Sequence, residues 1–559
     1  MAKIIKKKKK GLKSLRSSGG SSVETSPLRP QLIEKTPPCI NRCPNHNLIR
    51  DWLTTISQAE GKGKTHEQAL EEAFYIALET TPFPAVCGRV CPHPCEDDCN
   101  RKDKDGSVNI NKVERYIGDY GLQHGLPAKK VAEETRTEKV AVVGSGPAGL
   151  SCAYHLARRG YPVTVFEAFP KAGGMLRYGI PDYRLPADVL DGEIDRILDM
   201  GVELKLDTKI GKDISMDDLR KEYRATFVGI GAHQGLKLRL DGEDAENVWA
   251  GTDFLHKING GEMIDVGDKV VVVGGGDTAI DAARVARRLG ADVTILYRRT
   301  RTEMPAIDEE VEGAEEEGVT IELLAAPLSL HCDNGKATGM TCQRMELGEP
   351  DDSGRRRPVP IEGDTFDVEL TTLIAAISQA PDFDGFENLR EGKDWIKIDE
   401  SGHTQEHDIF SGGDDTNLGL VVDAIAHGRL AAFAVHEMMT GEKLPDKPML
   451  AVVTSDKMKL SHYDEAQRNQ PEEIPVDLRL REMNAEIVKT MSDEQMLAEA
   501  ARCMSCGMCF DCGSCWSYCQ DNAVVKPLTK YGTYKFKLEF CNGCKKCAEN
   551  CPCGYIEMH

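Results

Sequence analysis

Residues 139–150 read KVAVVGSGPAGL. Lys139 to Val143 is a short apolar, β-branched run, the pattern of a buried parallel strand. Gly144, Gly146 and Gly149 follow as G-x-G-x-x-G, with Pro147 and Ala148 opening a helix. Each small residue has a physical reason. Gly144 permits a tight turn, Gly146 lets backbone approach a pyrophosphate, and Gly149 lets helix pack closely on strand. The free N–H groups at the helix start can hold phosphate. The next strand, VTVFEA, ends at Glu167, 18 residues beyond Gly149, where a carboxylate can accept from a ribose hydroxyl. Strand, loop, helix and acid together predict a dinucleotide-binding α/β domain.

The pattern recurs. Residues 269–279 read KVVVVGGGDTA, with Gly274, Gly276 and Ala279 in the small positions and Asp277 and Thr278 between them. A helix, IDAARVARRLG, and a strand, VTILYRR, come next. This strand ends in Arg298 and Arg299 where the first ended in an acid. Arginine there can pair with a 2′-phosphate, which favours NADPH over NADH. The plainer alternative is a solvated turn. Two such folds, the first acidic and the second basic, point to FAD in the first and NAD(P)H in the second.

The 559 residues leave room for about three or four domains at roughly 150 residues each. A net charge of -21 argues against a general nucleic-acid binder. No apolar run is long enough to span a membrane. The first 21 residues, MAKIIKKKKKGLKSLRSSGGS, are basic and carry no apolar segment, so they read as a flexible arm rather than a secretory signal. A cytoplasmic location is the expectation. There, 20 cysteines are metal ligands more readily than disulfides. Six lie between 39 and 99, eleven between 503 and 553, and only Cys152, Cys332 and Cys342 lie between those groups.

The last group carries the plainest spacing. Cys509, Cys512, Cys515 and Cys519 form C-x2-C-x2-C-x3-C, and Cys541, Cys544, Cys547 and Cys551 repeat it with a following proline. That is the signature of a two-cluster bacterial ferredoxin, in which the fourth cysteine of each run serves the other cluster. One cluster takes Cys509, Cys512, Cys515 and Cys551; the other takes Cys541, Cys544, Cys547 and Cys519. Cys553 is left over. In the first group, Cys39 and Cys43 lie four apart, and Cys87, Cys91, Cys95 and Cys99 follow every four. Zinc sites more often use pairs two residues apart with histidine. A zinc-stapled, non-enzymatic scaffold is the alternative to iron–sulfur chemistry.

Other stretches resemble known flavoproteins. IFSGGDDTNLGLVVDAIAHGR (409–429) resembles the second flavin motif of two-dinucleotide enzymes, which implies Gly413 and Asp414 at the ribityl chain and a helix near Val422 aimed at the flavin. IAAISQAP (374–381) resembles the return from the NAD(P)H domain and implies Gln379 at that site. GGMLRYGIPDYRLP (173–186), GIGAHQG (229–235) and YRRTRTEMPA (297–306) resemble the small subunit of glutamate synthase and its relatives over about 37–445. Those relatives include the NAD(P)H-binding half of dihydropyrimidine dehydrogenase and the large subunit of ferredoxin:NADP transhydrogenase. The resemblance implies Gly174, Met175 and Arg177 at the flavin. It also implies a cluster on Cys43, Cys91, Cys95 and Glu114, the last within VNINKVERYIG. The plainer reading of Glu114 is a surface carboxylate. A second cluster would take Cys39 and Cys99, but the relatives' upstream R-C-M-x-C-G is missing here. RCMSCG at 502–507 offers Cys503 and Cys506 instead, with Cys87 as the alternative. Pyridine nucleotide–disulfide reductases share the two-domain plan but need a redox cysteine pair close in sequence. Cys152, Cys332 and Cys342 supply none and read as packed thiols.

The whole arrangement resembles the NAD(P)H oxidoreductases that accompany dissimilatory sulfite reductase. That implies FAD, NAD(P)H and about four [4Fe-4S] clusters, exchanging electrons with a protein partner such as a sulfite reductase or its sulfur-carrying partner. An electron-input subunit of glutamate synthase, or a ferredoxin:NAD(P) oxidoreductase, is the alternative. A homodimer is an open assembly; nucleic acid and membrane are not expected partners. No catalytic side chain is expected, because hydride transfer is centred on the flavin. The expected fold is α/β with two Rossmann-like domains, a helical iron–sulfur domain and a ferredoxin-like α+β domain. The expected order is a basic arm (1–35), the helical iron–sulfur domain (36–136), a split FAD domain (137–234 and 376–445), the inserted NAD(P)H domain (235–375), a linker (446–502) and the ferredoxin-like domain (503–559).

Overall fold

Two five-stranded parallel sheets follow from the two glycine-loop repeats. In a computed structural model that describes residues 25–351, 354–391, 395–444 and 449–559, the first sheet runs Ile409–Ser411, Ala225–Val228, Val140–Val143, Val163–Phe166 and Glu203–Lys205. The second runs Thr320–Leu323, Asp292–Tyr297, Lys269–Val273, Thr372–Ala375 and Val248–Ala250. Each is a doubly wound half, with its glycine loop at the carboxyl end of the central strand, where the strand order reverses. The strand at 409–411 rejoins the first sheet after the second is complete, so the second domain is an insertion. The chain crosses between them on a short ribbon in which Gln379 pairs with Gly235 and Ala380 with Gln234. An antiparallel sheet of Ala325–Asp333, Lys336–Pro350 and Arg356–Glu369 extends the second domain.

The chain divides into two units. The larger holds residues 37–449 and 465–503. Its N-terminal part is helical, with Trp52 and Phe74 at its centre. Here the helices Pro84–Val90 and Ile110–Gln123 pack backbone to backbone. A Cβ on Gly118 would stand 2.2 Å from the Ala85 nitrogen, so only glycine allows that approach. The crossing brings the end of the first helix, at Cys91, beside Glu114 on the second. Residues 465–503 are folded onto this unit: Ile487 N–H donates to the Tyr183 carbonyl at 3.1 Å, and Arg479 pairs with Glu316 at 3.0 Å.

The smaller unit holds residues 25–36, 450–464 and 504–559 of the described chain. Its strand Pro30–Leu32 pairs antiparallel with Ile556–Met558, and Lys35 reaches Glu557 at 2.6 Å. Residues 25–35, read from composition as part of a flexible arm, are therefore ordered by that strand pairing; residues 1–24 lie outside the described residues. The stretch read as a linker, 446–502, is likewise shared between the two units. Among the described residues, no helix is long and apolar enough to cross a membrane.

Candidate functional site

The first glycine loop opens onto a cavity of about 540 Å³ in the larger unit. Gly144, Gly146, Pro147, Ala148, Glu167, Gly174, Met175, Gly413 and Asp414 all line it. The loop glycines differ in what surrounds them. A Cβ on Gly149 would lie 2.0 Å from the Gly144 oxygen, whereas a Cβ on Gly146 would meet nothing within 4 Å. Gly149 is thus required by packing, and Gly146 presents open backbone to the cavity. Glu167 is buried, and its carboxylate accepts from the N–H groups of Ser145 and Phe169, each at 2.9 Å. This holds the acid at the loop, with lone pairs still open for a ribose. Burial, with the charge of Asp423, raises the Asp414 carboxyl to about 6.

Two expected flavin residues sit elsewhere. Arg177 turns away to the Ala172 carbonyl and to Asp191 and does not line the cavity. Val422 is buried in the core of the helical iron–sulfur part; its helix, Val421–Thr440, meets the cavity through Ala424 instead. Sequence reasoning also missed contributors. His427 accepts from the Gly413 N–H at 3.0 Å and fixes that loop. Asp415, fully buried, accepts from the Ile230 N–H at 3.0 Å and ties the two strand ends together. His233, Phe169 and Lys209 line the cavity. No local spacing marks these residues, because they come from separate strand ends.

At the second loop, Gly276 caps the helix Asp277–Arg288, Ala279 is buried beneath it, and Thr278 is half-buried on its first turn. The Asp277 carboxylate accepts from the Ile307 N–H at 3.0 Å, which binds the 297–306 loop to the helix start. Gly274 adopts a positive φ of 153°. Gln379 lies on the crossing ribbon. The two arginines part company. Arg298 is exposed. Arg299 is buried, donating to the Arg356 carbonyl and pairing with Asp351, both at 2.7 Å. Arg299 is therefore a structural residue of the antiparallel extension, engaged away from the 2′-phosphate role expected for it.

No disulfide is formed among the cysteines of the described residues. In the helical part, Glu114 lies within electrostatic reach of Cys43 and Cys91, and Cys95 within reach of Cys43, Cys91 and Cys39. Burial pushes the Cys43 thiol up to about 11 and the Glu114 carboxyl to about 8, while Asn47 donates to Glu114 at 3.2 Å. Such thiols do not ionise unaided; they suit ligands whose charge a metal centre holds. Cys39, Cys99 and Cys503 border the same apolar core as Cys43 and Cys95, whereas Cys87 lies in the core of the first sheet. Arg502 locks Cys503 in place. Its guanidinium binds Glu499 at 2.6 Å and the Gly106 carbonyl at 2.8 Å, and its own carbonyl accepts from Arg101 at 2.7 Å. Of the set expected for the second cluster, Cys506 belongs to the smaller unit.

In the smaller unit, one cavity of about 180 Å³ is lined by Cys509, Cys512, Cys515 and Cys551, and a second cavity by Cys519, Cys541, Cys544 and Cys547. The fourth cysteine of each run has crossed to the other set. Short helices, Ser514–Ser517 and Lys546–Glu549, present Cys515 and Cys547. Among the described residues, no three such side chains converge on a point as a single metal ion requires. Four thiols ringing a cavity match the wider donor set of a [4Fe-4S] cluster.

Two glycine-loop domains, a flavin-sized cavity and cysteine-ringed cavities define a flavin- and nicotinamide-dependent iron–sulfur oxidoreductase. The chain belongs to the pyridine nucleotide-disulphide oxidoreductase family, whose model matches residues 138–428. Residues 32–126 match the family described as dihydropyrimidine dehydrogenase domain II, 4Fe-4S cluster. Over 522 residues the chain is 39% identical to the NADPH-Fe(3+) oxidoreductase subunit beta of Geobacter sulfurreducens, covering 85% of this chain and 76% of that one. It is 41% identical to the NADP(+)-dependent formate dehydrogenase subunit beta of Moorella thermoacetica, over 72% of this chain and 60% of that one. It is 38% identical to the glutamate synthase [NADPH] small chain of Escherichia coli K12, over 71% of this chain and 87% of that one. Among solved structures, the oxidoreductase FprA of Mycobacterium tuberculosis aligns with a TM-score of 0.47 at 16% identity, covering 55% of this chain and 85% of that one. Despite the family's title, the thiols of the middle domains form no redox pair. Cys152 lies in the helix after the first loop, while Cys332 and Cys342 pair in the antiparallel sheet with Ala337 and Pro327.

Proposed function

We propose that this chain passes electrons between NAD(P)H and a protein partner, the partner being a dissimilatory sulfite reductase or its sulfur-carrying partner. When bound, FAD exchanges a hydride with nicotinamide and single electrons with [4Fe-4S] clusters. The chain's own residues place these groups. Gly146 and the start of the helix Pro147–Ala157 hold the flavin pyrophosphate, Glu167 the ribose and Asp414 the ribityl chain. Arg298 holds the nucleotide's 2′-phosphate. Cys43, Cys91, Cys95 and Glu114 hold the first cluster, and Cys39, Cys99 and Cys503 belong to the second. The two crossed sets in the smaller unit hold the third and fourth. Free thiols in this number suit a reducing compartment such as the cytoplasm.

One observation carries the reading. The first turn of the helix Val421–Thr440 serves both centres: Ala424 lines the flavin cavity, and Val422 is packed in the core that holds Cys43 and Cys95 and that Cys91 borders. That shared helix turn supports the reading, because electron transfer requires flavin and first cluster to lie close together. The partner is tested by anaerobic mixing with NADPH, sulfite and a dissimilatory sulfite reductase. Sulfite-dependent NADPH oxidation supports the proposal; its absence with an active reductase refutes the partner. A glutamate synthase input role is favoured by the resemblance to that enzyme's small chain. Glutamate formed from glutamine and 2-oxoglutarate with a synthase large subunit would select it.

A further inference from the structure

Cys553 stands outside all four ligand sets. Yet it is 2% exposed and lines the same cavity as Cys509, Cys512, Cys515 and Cys551. That cavity offers five thiols to a cluster that takes four. Local sequence explains the fifth. Cys551-Pro552-Cys553-Gly554 is a turn with proline second and glycine fourth, closed by the Gly554 N–H on the Cys551 carbonyl at 3.3 Å. The turn folds the third residue back toward the first, and the two sulfurs lie 3.8 Å apart. They are not equivalent. Cys551 Sγ accepts from the Tyr555 N–H at 3.3 Å, a donor of the kind that supports a ligating thiolate. Cys553 is held by its backbone, its carbonyl accepting from the Gly507 N–H at 2.7 Å.

We propose that Cys553 is the reserve ligand of this cluster, an inference that rests on the cavity holding a [4Fe-4S] cluster. While Cys551 ligates, the Cys553 S–H donates to its sulfur. When Cys551 leaves, Cys553 replaces it. The iron–sulfur bond to Cys551 breaks and the bond to Cys553 forms. The Cys553 thiol proton passes to the departing Cys551 thiolate. No electron changes hands, and the charge on the cluster is unchanged.

The test uses the full chain purified anaerobically, with iron and flavin per chain and the electron paramagnetic resonance spectrum after dithionite reduction. Cys512→Ala with Cys553→Ala, which leaves three thiols at the cavity, is expected to lose about four irons; if it keeps them, the cavity holds no cluster and both readings fail. Given that loss, Cys551→Ala is expected to fold, to keep the wild-type iron and flavin, and to show an altered cluster spectrum. Cys551→Ala with Cys553→Ala is expected to lose about four irons. Cys553→Ala alone is expected to keep its iron but to shift the cluster to a more negative potential, because a hydrogen bond to a ligating sulfur is gone. The reserve role is overturned if Cys551→Ala loses the same iron as the double variant, or fails to fold while Cys553→Ala is intact.

Discussion

Replacing Arg298 with alanine should weaken the binding of NADPH and leave that of NADH nearly unchanged. Both arginines directly follow the strand Asp292–Tyr297, but Arg299 is bound by Asp351 and the Arg356 carbonyl, each at 2.7 Å. A guanidinium so engaged would have to abandon a carboxylate to greet a phosphate. Arg298 is exposed and has no ion pair with any described residue. A hydrogen bond to a charged group contributes about 1.5–3 kcal/mol, and each 1.4 kcal/mol is about tenfold. Arg298→Ala should therefore raise the KM for NADPH by about 10- to 150-fold and leave that for NADH within about twofold. Arg299→Ala removes two bonds and leaves Asp351, 24% exposed, without this partner. It should cost about 1–2 kcal/mol of stability, lowering Tm by about 2–8 °C in a domain of this size, with the nucleotide ratio unchanged. Steady-state reduction of a dye acceptor with each nucleotide, beside thermal melts, reads both. An unchanged NADPH:NADH ratio in Arg298→Ala refutes the reasoning. So does a collapsed ratio in Arg299→Ala with an unchanged Tm.

Gly146→Val should fold with nearly the wild-type Tm but purify without flavin, because Gly146 lines the cavity and its added Cβ would meet no protein atom within 4 Å. Gly149→Val should instead lower Tm sharply, since its Cβ would meet the Gly144 oxygen at 2.0 Å; absorbance at the flavin band and melting curves separate the two. Cys503→Ala should lose about four irons per chain and Cys87→Ala none, by iron assay; retention of all iron in Cys503→Ala would remove it from the second cluster. Asp414 has its carboxyl raised from 3.8 to about 6 by burial and the charge of Asp423. The folded, flavin-free chain thus binds this proton more tightly than the unfolded chain does. The stability this contributes is present at low pH and is lost as pH rises from about 4 through about 6. Tm should fall over that range, and Asp414→Asn should flatten the fall; an unaltered slope in the variant refutes the assignment.

The two glycine loops and the doubled ferredoxin spacing were legible in the sequence because each is a local device. A phosphate loop is built from backbone within about a dozen residues, so Gly144, Gly146, Gly149 and Glu167 carry their meaning in their spacing. The same holds for Cys509, Cys512 and Cys515, which one turn of chain gathers at one cavity. What the sequence left open was set by packing between distant segments. Arg298 and Arg299 are equivalent in the sequence; only the antiparallel extension, which places Asp351 and Arg356 beside one of them, tells them apart. Arg177 sits in a flavin-like motif but spends its charge on Asp191. Cys503, and not Cys87, stands at the core that Cys39 and Cys99 border because Arg502 is held there, its guanidinium and carbonyl both bound by the 101–107 loop that follows Cys99. Glu114 becomes more than a helix carboxylate because Gly118 lets its helix lie against Ala85, bringing Cys91 to its side. Spacing determined which residues share a turn. The close packing of helices and loops some 400 residues apart in sequence decided which thiols and charges meet, because burial energy depends on surfaces that no short stretch contains.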